Sequence, residues 1–230
     1  MTKNILIVDD EAEIRDVVHI YLRNEGYRVL EAEDGIQALE LLRREKIDLM
    51  ILDIMMPRMD GIQACLKIRE ESNIPIIMLS AKGEDLDKIM GLSTGADDYV
   101  TKPFNPLELA ARVKAQFRRQ HFNSEMESDA SVIRIGDLTI DRSRHFVAAG
   151  GKEVSLTPTE FAILELLASH RGHVFNTDKI YRSVWKDPSI YYSENTVMAH
   201  IRNIREKIEA NPKEPQYIKT VWGVGYKIEK

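Results

Sequence analysis

Three short runs of unbroken aliphatic residues, Ile5 to Val8, Leu49 to Leu52 and Ile76 to Leu79, each stop abruptly at polar residues. Runs of that length suit strands buried on both faces of a parallel sheet. Parallel neighbours need crossover connections, and the intervening stretches supply them as helices. Asp10, Glu11, Ala12 and Glu13 offer an N-cap with an acid three residues on, followed by Ile14, Val17, Val18, Tyr21 and Leu22 at helical spacing. Gly26 ends that helix. Four more are predicted over 35–42, 62–69, 85–94 and 105–119, the last opened by a capping Asn105, Pro106 at the first helical position and a back-reaching Glu108. The alternation predicts an α/β unit, a doubly wound five-stranded parallel sheet over residues 1–120.

In such sheets ligands collect beyond the carboxyl ends of the strands, where the strand order reverses. Asp9, Asp10, Asp53, Ser80 and Lys102 all fall at such ends, Lys102 just past Tyr99, Val100 and Thr101. One aspartate after a strand is commonly a turn residue or a helix cap. Three converging carboxylates repel one another unless a cation neutralises them, and an oxygen-only set suits Mg²⁺ or Mn²⁺.

Residues 1 to about 120 resemble the CheY-like receiver domain of two-component signalling. The resemblance rests on the Asp9 and Asp10 pair, the segment Ile51-Leu52-Asp53-Ile54-Met55-Met56-Pro57 with Asp60-Gly61, Ser80-Ala81, and Lys102-Pro103-Phe104. It implies that Asp53 is the phosphoacceptor, a carboxylate nucleophile that forms an aspartyl phosphate. Asp10, Asp53 and the Met55 backbone carbonyl would ligate the metal, with Asp9 acting directly or through water. Lys102 and Ser80 would meet phosphoryl oxygens, Tyr99 would follow Ser80 inward as a switch, and the Lys102-Pro103 bond would be cis. Haloacid-dehalogenase-like phosphatases also use an aspartate after a parallel strand, with a second acid two residues later as general acid and base. Met55 holds that position here. The site therefore reads as a switch with slow self-dephosphorylation, apolar Met55 and long Lys82 flanking the path of water, rather than an enzyme.

Residues 121–131 are polar and without period, and read as a linker with a reach of about 15 to 20 Å. A second, α+β domain follows over 132–230. Strands are predicted over 132–135, 138–141 and 145–148, then a turn at Gly150 and Gly151. Thr157-Pro158-Thr159-Glu160 forms a capping box ahead of the stripe Phe161, Leu164, Leu167 and Ala168. Asn176 to Asp178 opens a helix carrying Ile180, Val184 and Trp185, and a third helix spans about 193–209. Its stripe of Val197, Ile201, Ile204 and Ile208 leaves Asn195, Thr196, Met198, His200, Arg202, Asn203, Arg205 and Lys207 on other faces, with groups suited to base edges and phosphates. Two β-prone runs around Trp222-Gly223-Val224-Gly225 make a terminal hairpin.

Helix, turn, helix and hairpin make a winged helix-turn-helix. The chain resembles the OmpR/PhoB response regulators, on Leu156 to Phe161, Thr196-Val197 with His200-Ile201-Arg202, and Gly223-Val224-Gly225-Tyr226. The ending from Lys219 to Lys227 is most similar to the VanR branch, regulators of glycopeptide resistance. The resemblance implies a sensor histidine kinase, double-stranded promoter DNA and RNA polymerase as partners. The expected DNA contacts are Asn195, Thr196, Met198, Arg202, Asn203, Arg205, Lys219 and Trp222. Asn203 and Trp222 depart from the arginines common at their positions, which would alter sequence preference or weaken phosphate contact. Trp222 would alternatively pack beneath the wing.

Residues 1–120 carry 17 Lys and Arg against 22 Asp and Glu, and residues 121–230 carry 15 of each, so charge neither demands nor forbids DNA binding. A neutral binding domain must gather its cations on one face, with Arg202, Arg205, Lys207, Lys219 and Lys227 as candidates. The resemblance further implies a homodimer formed on phosphorylation through helix 85–94, the strand after it and helix 105–119. Lys88 would pair with Glu108, Asp98 with Arg112 and Asp97 with Lys114 across subunits. Cys65 is the single cysteine, and it falls among apolar residues. No apolar run approaches a membrane span and no signal peptide is evident, so the expected place is the cytoplasm, with no membrane partner.

Overall fold

The computed structural model describes residues 2–81, 95–121, 131–185 and 194–229, grouped in two units, 1–116 and 117–230. In the first, five parallel strands lie in the order β2-β1-β3-β4-β5: β1 Asn4–Val8, β2 Arg28–Ala32, β3 Leu49–Asp53, β4 Ile76–Ala81 and β5 Asp98–Lys102. The order reverses beside β1, so the carboxyl ends of β1 and β3 border one crevice. Every side chain from Ile5 to Val8 and from Leu49 to Leu52 is buried. Burying each contributes about 1.5–3 kcal/mol relative to exposure. Cys65 is buried in the same core.

The helices are α1 Ala12–Asn24, α2 Gly35–Arg44, α3 Gly61–Glu71 and α4 Pro106–His121. The expected cap of α1 at Asp10 is corrected: Glu11 occupies the N-cap without a side-chain bond, and Asp9 Oδ1 instead accepts from the Glu11 amide at 3.0 Å. Asp34 caps α2 by accepting from Ile36 and Gln37, and Asp60 caps α3 by accepting from Gln63. The predicted helix 85–94, with Lys88, and Lys82 lie outside the described residues.

The second unit opens with an antiparallel sheet, β6 Val132–Ile135, β7 Leu138–Asp141, β8 Phe146–Ala149 and the short β9 Lys152–Glu153. The strand expected to begin at His145 begins one residue later because His145 adopts φ 49°. Three helices follow, α5 Pro158–Ser169, α6 Thr177–Trp185 and α7 Glu194–Ile208, and then the hairpin β10 Ile218–Val221 and β11 Gly225–Ile228. The capping box forms: Thr157 Oγ1 accepts from the Glu160 amide and Glu160 Oε2 accepts from the Thr157 amide at 2.9 Å. That buried carboxylate also receives Lys207 Nζ at 2.6 Å, tying the start of α5 to the end of α7. Phe161, Leu164, Trp185, Val197, Ile201, Ile204 and Ile218 meet in one core.

Candidate functional site

The crevice at the β1 and β3 ends gathers Asp9, Asp10 and Asp53, with one carboxylate oxygen from each within 4.8 Å of the others. Asp9 is fully buried, Asp53 is 3% exposed and Asp10 faces solvent. Lys102 Nζ lies 2.8 Å from Asp9 Oδ2 and 3.0 Å from Asp53 Oδ1, so one ammonium from β5 offsets both. The Lys102-Pro103 bond is cis. Burial pushes the Asp53 carboxyl up to about 6; the charges of Asp9 and Asp10 add to the rise, and Lys102 opposes it. Burial works against the Lys102 ammonium, yet its bonds to Asp9 and Asp53 outweigh it and raise its pKa.

Ser80 comes from β4, one residue beyond the Leu79 that pairs with Asp53. Its hydroxyl is buried, and its Oγ has no hydrogen-bond partner in the structure. A buried hydroxyl left unpaired costs free energy, which an acceptor oxygen placed beside it would recover. Tyr99 on β5 is half-buried against the core. Met55 is 66% exposed at the mouth. The donor set fits a hard cation with oxygen ligands, Asp9, Asp10 and Asp53 being its carboxylates, and a phosphoryl group that accepts from Ser80 and Lys102.

Gly61 of the Asp60-Gly61 motif supports the site, as do Arg15, Asp34 and Arg58, which were not singled out from the sequence. Gly61 begins α3 so close to β3 that a Cβ there would stand 2.0 Å from the Asp53 carbonyl oxygen, which excludes any side chain. Arg15 donates to the Asp9 carbonyl at 2.6 Å and fixes the turn after β1. Arg58 pairs with the buried Asp34, and the Met59 carbonyl accepts from Gly35 at 3.3 Å, pinning the loop after β3 to α2. The Asp60-Gly61 and Asp34-Gly35 pairs were the available signals; the long-range partners had none.

The expected dimer surface needs correction at Asp97. Asp97 is fully buried, with Oδ2 accepting from Arg69 at 2.8 Å and from the Ile76 amide at 3.0 Å. It braces β4 from within, and Lys114 meets Glu25 at 2.6 Å. Arg112 bonds within the chain, reaching both oxygens of Asp98 at 3.0 Å and Glu108 Oε1 at 2.9 and 3.1 Å.

On α7, Asn195, Met198 and Arg202 are exposed, Met198 at 49%. Thr196, His200 and Asn203 are corrected to buried positions, because α5, α6 and the hairpin cover a broader arc of α7 than its aliphatic stripe marks. Arg205 is also corrected. Its Nη2 donates to the Ile218 carbonyl at 2.7 Å and to Thr220 Oγ1 at 2.8 Å, and its guanidinium stands 5.7 Å from the Tyr226 ring centre. It clamps the hairpin to α7. Glu209, overlooked in the sequence, accepts from the amides of Gln216, Tyr217 and Ile218 at 2.6 to 3.0 Å.

The other candidate cations also have partners: Arg202 with Glu206, Lys207 with Glu160, Lys219 with the Pro215 carbonyl and Lys227 with Glu229. The Arg202 pair is solvent-exposed and worth only about 0.3–0.5 kcal/mol, so it yields readily to a phosphate. Trp222 is 90% exposed, which overturns its packing beneath the wing. The loop 186–193 lies outside the described residues.

Both halves have known counterparts. Residues 5–114 match the response regulator receiver domain, and residues 151–228 match the transcriptional regulatory protein C-terminal family. Over the whole of both chains the protein is 49% identical to the regulatory protein VanR of Enterococcus faecium, and it is 48% identical to VanRc of Enterococcus gallinarum. It is 43% identical to the alkaline phosphatase synthesis transcriptional regulatory protein PhoP of Bacillus subtilis, covering 100% of this chain and 98% of that one. Among solved structures, DrrB, an OmpR/PhoB homologue of Thermotoga maritima, is 35% identical over all of both chains with a TM-score of 0.53. A RitR mutant is 28% identical over 99% of each with a TM-score of 0.76. The chain belongs to the OmpR/PhoB family of two-component response regulators, and is a transcription regulator with a receiver and a DNA-binding winged helix. The family implies a histidine kinase and DNA as partners. Among the described residues no helix is long and apolar enough to cross a membrane.

Proposed function

We propose that a sensor histidine kinase phosphorylates Asp53 and that the phosphorylated chain dimerises, binds promoter DNA in the cytoplasm and acts on RNA polymerase. In this reading residues 1–120 are the receiver, 121–131 the linker and 132–230 the effector. The observation that carries it is the cluster of three carboxylates, two of them paired with the Lys102 ammonium, together with the buried and unpaired hydroxyl of Ser80.

A carboxylate oxygen of Asp53 attacks the phosphorus of a phosphohistidine; the new O–P bond forms as the P–N bond breaks and the imidazole leaves. Asp10, Asp53 and the Met55 carbonyl, with Asp9 directly or through water, would hold Mg²⁺ or Mn²⁺, which would supply charge neutralisation and in-line alignment. Lys102 exchanges its contact with Asp53 for a phosphoryl oxygen, and Ser80 donates to another. Tyr99 follows Ser80 inward. Nearly two added negative charges make these contacts available in only one state. Dimerisation uses Lys88, Asp98, Glu108, Arg112 and Lys114, and two winged helices then occupy half-sites about 34–36 Å apart. Apolar Met55 at the mouth and Lys82 slow the approach of water, so the phosphoryl group is lost slowly.

Incubation with Mg²⁺ and a small phosphodonor, followed by intact mass and size-exclusion chromatography, tests this. Wild type gains one phosphoryl group and dimerises, Asp53→Asn gains none, and Met55→Asn loses its phosphoryl group faster. A wild type that gains no mass and keeps its oligomeric state overturns the reading in favour of a phosphorylation-independent regulator whose receiver is a constitutive dimerisation module.

A further inference from the structure

The loop that leaves Asp53, residues 54–60, is fastened at several points. Its ends meet where the Gly61 amide donates to the Ile54 carbonyl at 3.0 Å. Ile54 and Met56 are buried in the core and leave Met55 between them 66% exposed. The far side of the loop is tied to another helix. Arg58 forms an ion pair with Oδ2 of Asp34, the N-cap of α2, and the Met59 carbonyl accepts from the Gly35 amide at 3.3 Å. Gly35 brings α2 so close that a Cβ there would stand 2.8 Å from both Ala64 of α3 and Met59.

Asp34 is fully buried, and its two oxygens have separate roles. Oδ1 accepts from the Ile36 and Gln37 amides at 2.8 and 2.9 Å, while Oδ2 faces Arg58, the one cation paired with it among the described residues. Arg58 itself adopts φ 66°, a conformation that residues other than glycine rarely hold unless their surroundings impose it. A buried carboxylate stripped of its counter-charge is strongly disfavoured, so the pair holds Arg58 in that conformation and the loop against α2.

On the reading of the crevice as a Mg²⁺ site, this loop supplies the Met55 carbonyl, the one backbone group among the protein ligands. A carboxylate side chain can turn to meet an ion, but a carbonyl stays where its loop holds it. Mg²⁺ demands near-ideal octahedral geometry at about 2.0–2.1 Å, whereas Ca²⁺ accepts looser arrangements at about 2.3–2.6 Å. The firmness of the loop therefore bears on which ion the crevice admits.

We propose that the pair of Arg58 and Asp34 is a metal-selectivity device, which positions the loop after Asp53 so that the crevice favours Mg²⁺ over Ca²⁺. Arg58 is a positioning residue, acting through the loop rather than on the ion. The sign of its effect is distinctive. By charge alone, removing an arginine from a cation-binding domain strengthens metal binding, whereas removing the pin weakens it.

The test titrates Mg²⁺ alone, and separately Ca²⁺ alone, into the isotope-labelled full chain and follows amide NMR shifts. Arg58→Gly relieves the left-handed backbone and removes the pin. It is expected to bind Mg²⁺ about tenfold more weakly and Ca²⁺ nearly as well as wild type. Asp34→Asn keeps an oxygen to cap α2 and removes the charge, so it should show the same loss. The double variant should lose no more than either single one, since both changes break one pair. A mere loss of folded protein would lower both affinities together. The device is overturned if Arg58→Gly binds Mg²⁺ as well as or better than wild type, if Mg²⁺ and Ca²⁺ weaken equally, or if the losses of the two single variants add. Should wild type show no response to Mg²⁺, or should Asp10→Asn respond identically to it, the metal-site reading itself fails, a result distinct from the others.

Discussion

The receiver crevice and the face of α7 use polar residues in opposite ways. In the receiver two of the three candidate carboxylates, Asp9 and Asp53, are buried, and the fold tolerates their repulsion because Lys102 lies between them. On α7 the functional groups must point outward, and much of what looks functional has been recruited to hold the domain together. Arg205 clamps the hairpin, Lys207 ties α7 to α5, and Thr196, His200 and Asn203 are buried. A buried active site declares itself through residues that a core would otherwise exclude. A surface site shares its residue types with ordinary structural pins.

The contrast is most severely tested at Gly61. Gly61→Ala forces a Cβ against the Asp53 carbonyl and should cost about 3 kcal/mol in urea unfolding of the receiver. Phosphoryl uptake should fall about tenfold or more, since the displaced carboxylate is held to tolerances of roughly 0.5 Å. Unchanged uptake would show that the crevice does not depend on that close approach.

Two arginines sharpen the comparison on the effector side. Arg205→Ala should destabilise the effector by about 2 kcal/mol, because it strips the Ile218 carbonyl and Thr220 of their donor. Arg202→Ala should leave stability within about 0.5 kcal/mol and flatten the salt dependence of DNA affinity by about one. Exchanged outcomes would mean that the clamp and the phosphate contact have been assigned to the wrong residues.

The last test is a difference of sign with pH. In chelator, Asp53 has a folded pKa of about 6, above its unfolded value, so the receiver gains stability from this group as pH falls through 6 towards 4. His145, stacked on Phe161 at 4.3 Å, has its pKa lowered by burial, so the effector loses stability as pH falls below 6.5 and the unfolded chain takes up the proton. Calorimetry between pH 7 and 5, comparing wild type with Asp53→Asn and His145→Asn, reads each group separately. Shifts of the same sign in both would refute the assignment.

Much of the receiver was legible because its strands are unbroken aliphatic runs and its site lies at their ends. Strand β2 was not singled out, since Arg28-Val29-Leu30-Glu31-Ala32 is an edge strand with Glu31 turned to His19 and Arg15. Capping residues showed through where the signal is local, as at Thr157 and Asn105. Asp97, Arg205 and Glu209 were misread or missed for a common reason. Each owes its role to a partner 7 to 28 residues away, and nothing in the neighbouring sequence distinguishes such a residue from a solvent-facing charge. The breadth of burial around α7 was likewise invisible, because an aliphatic stripe marks the centre of a contact face and not its edges.

The shared carboxylate of Glu160 has one more consequence. It caps the start of α5 while holding the last turn of α7, so neither helix end can open without releasing the other. Amide hydrogens at these two termini should therefore exchange with solvent at matched rates, as members of one opening unit, although 47 residues of chain separate the two side chains.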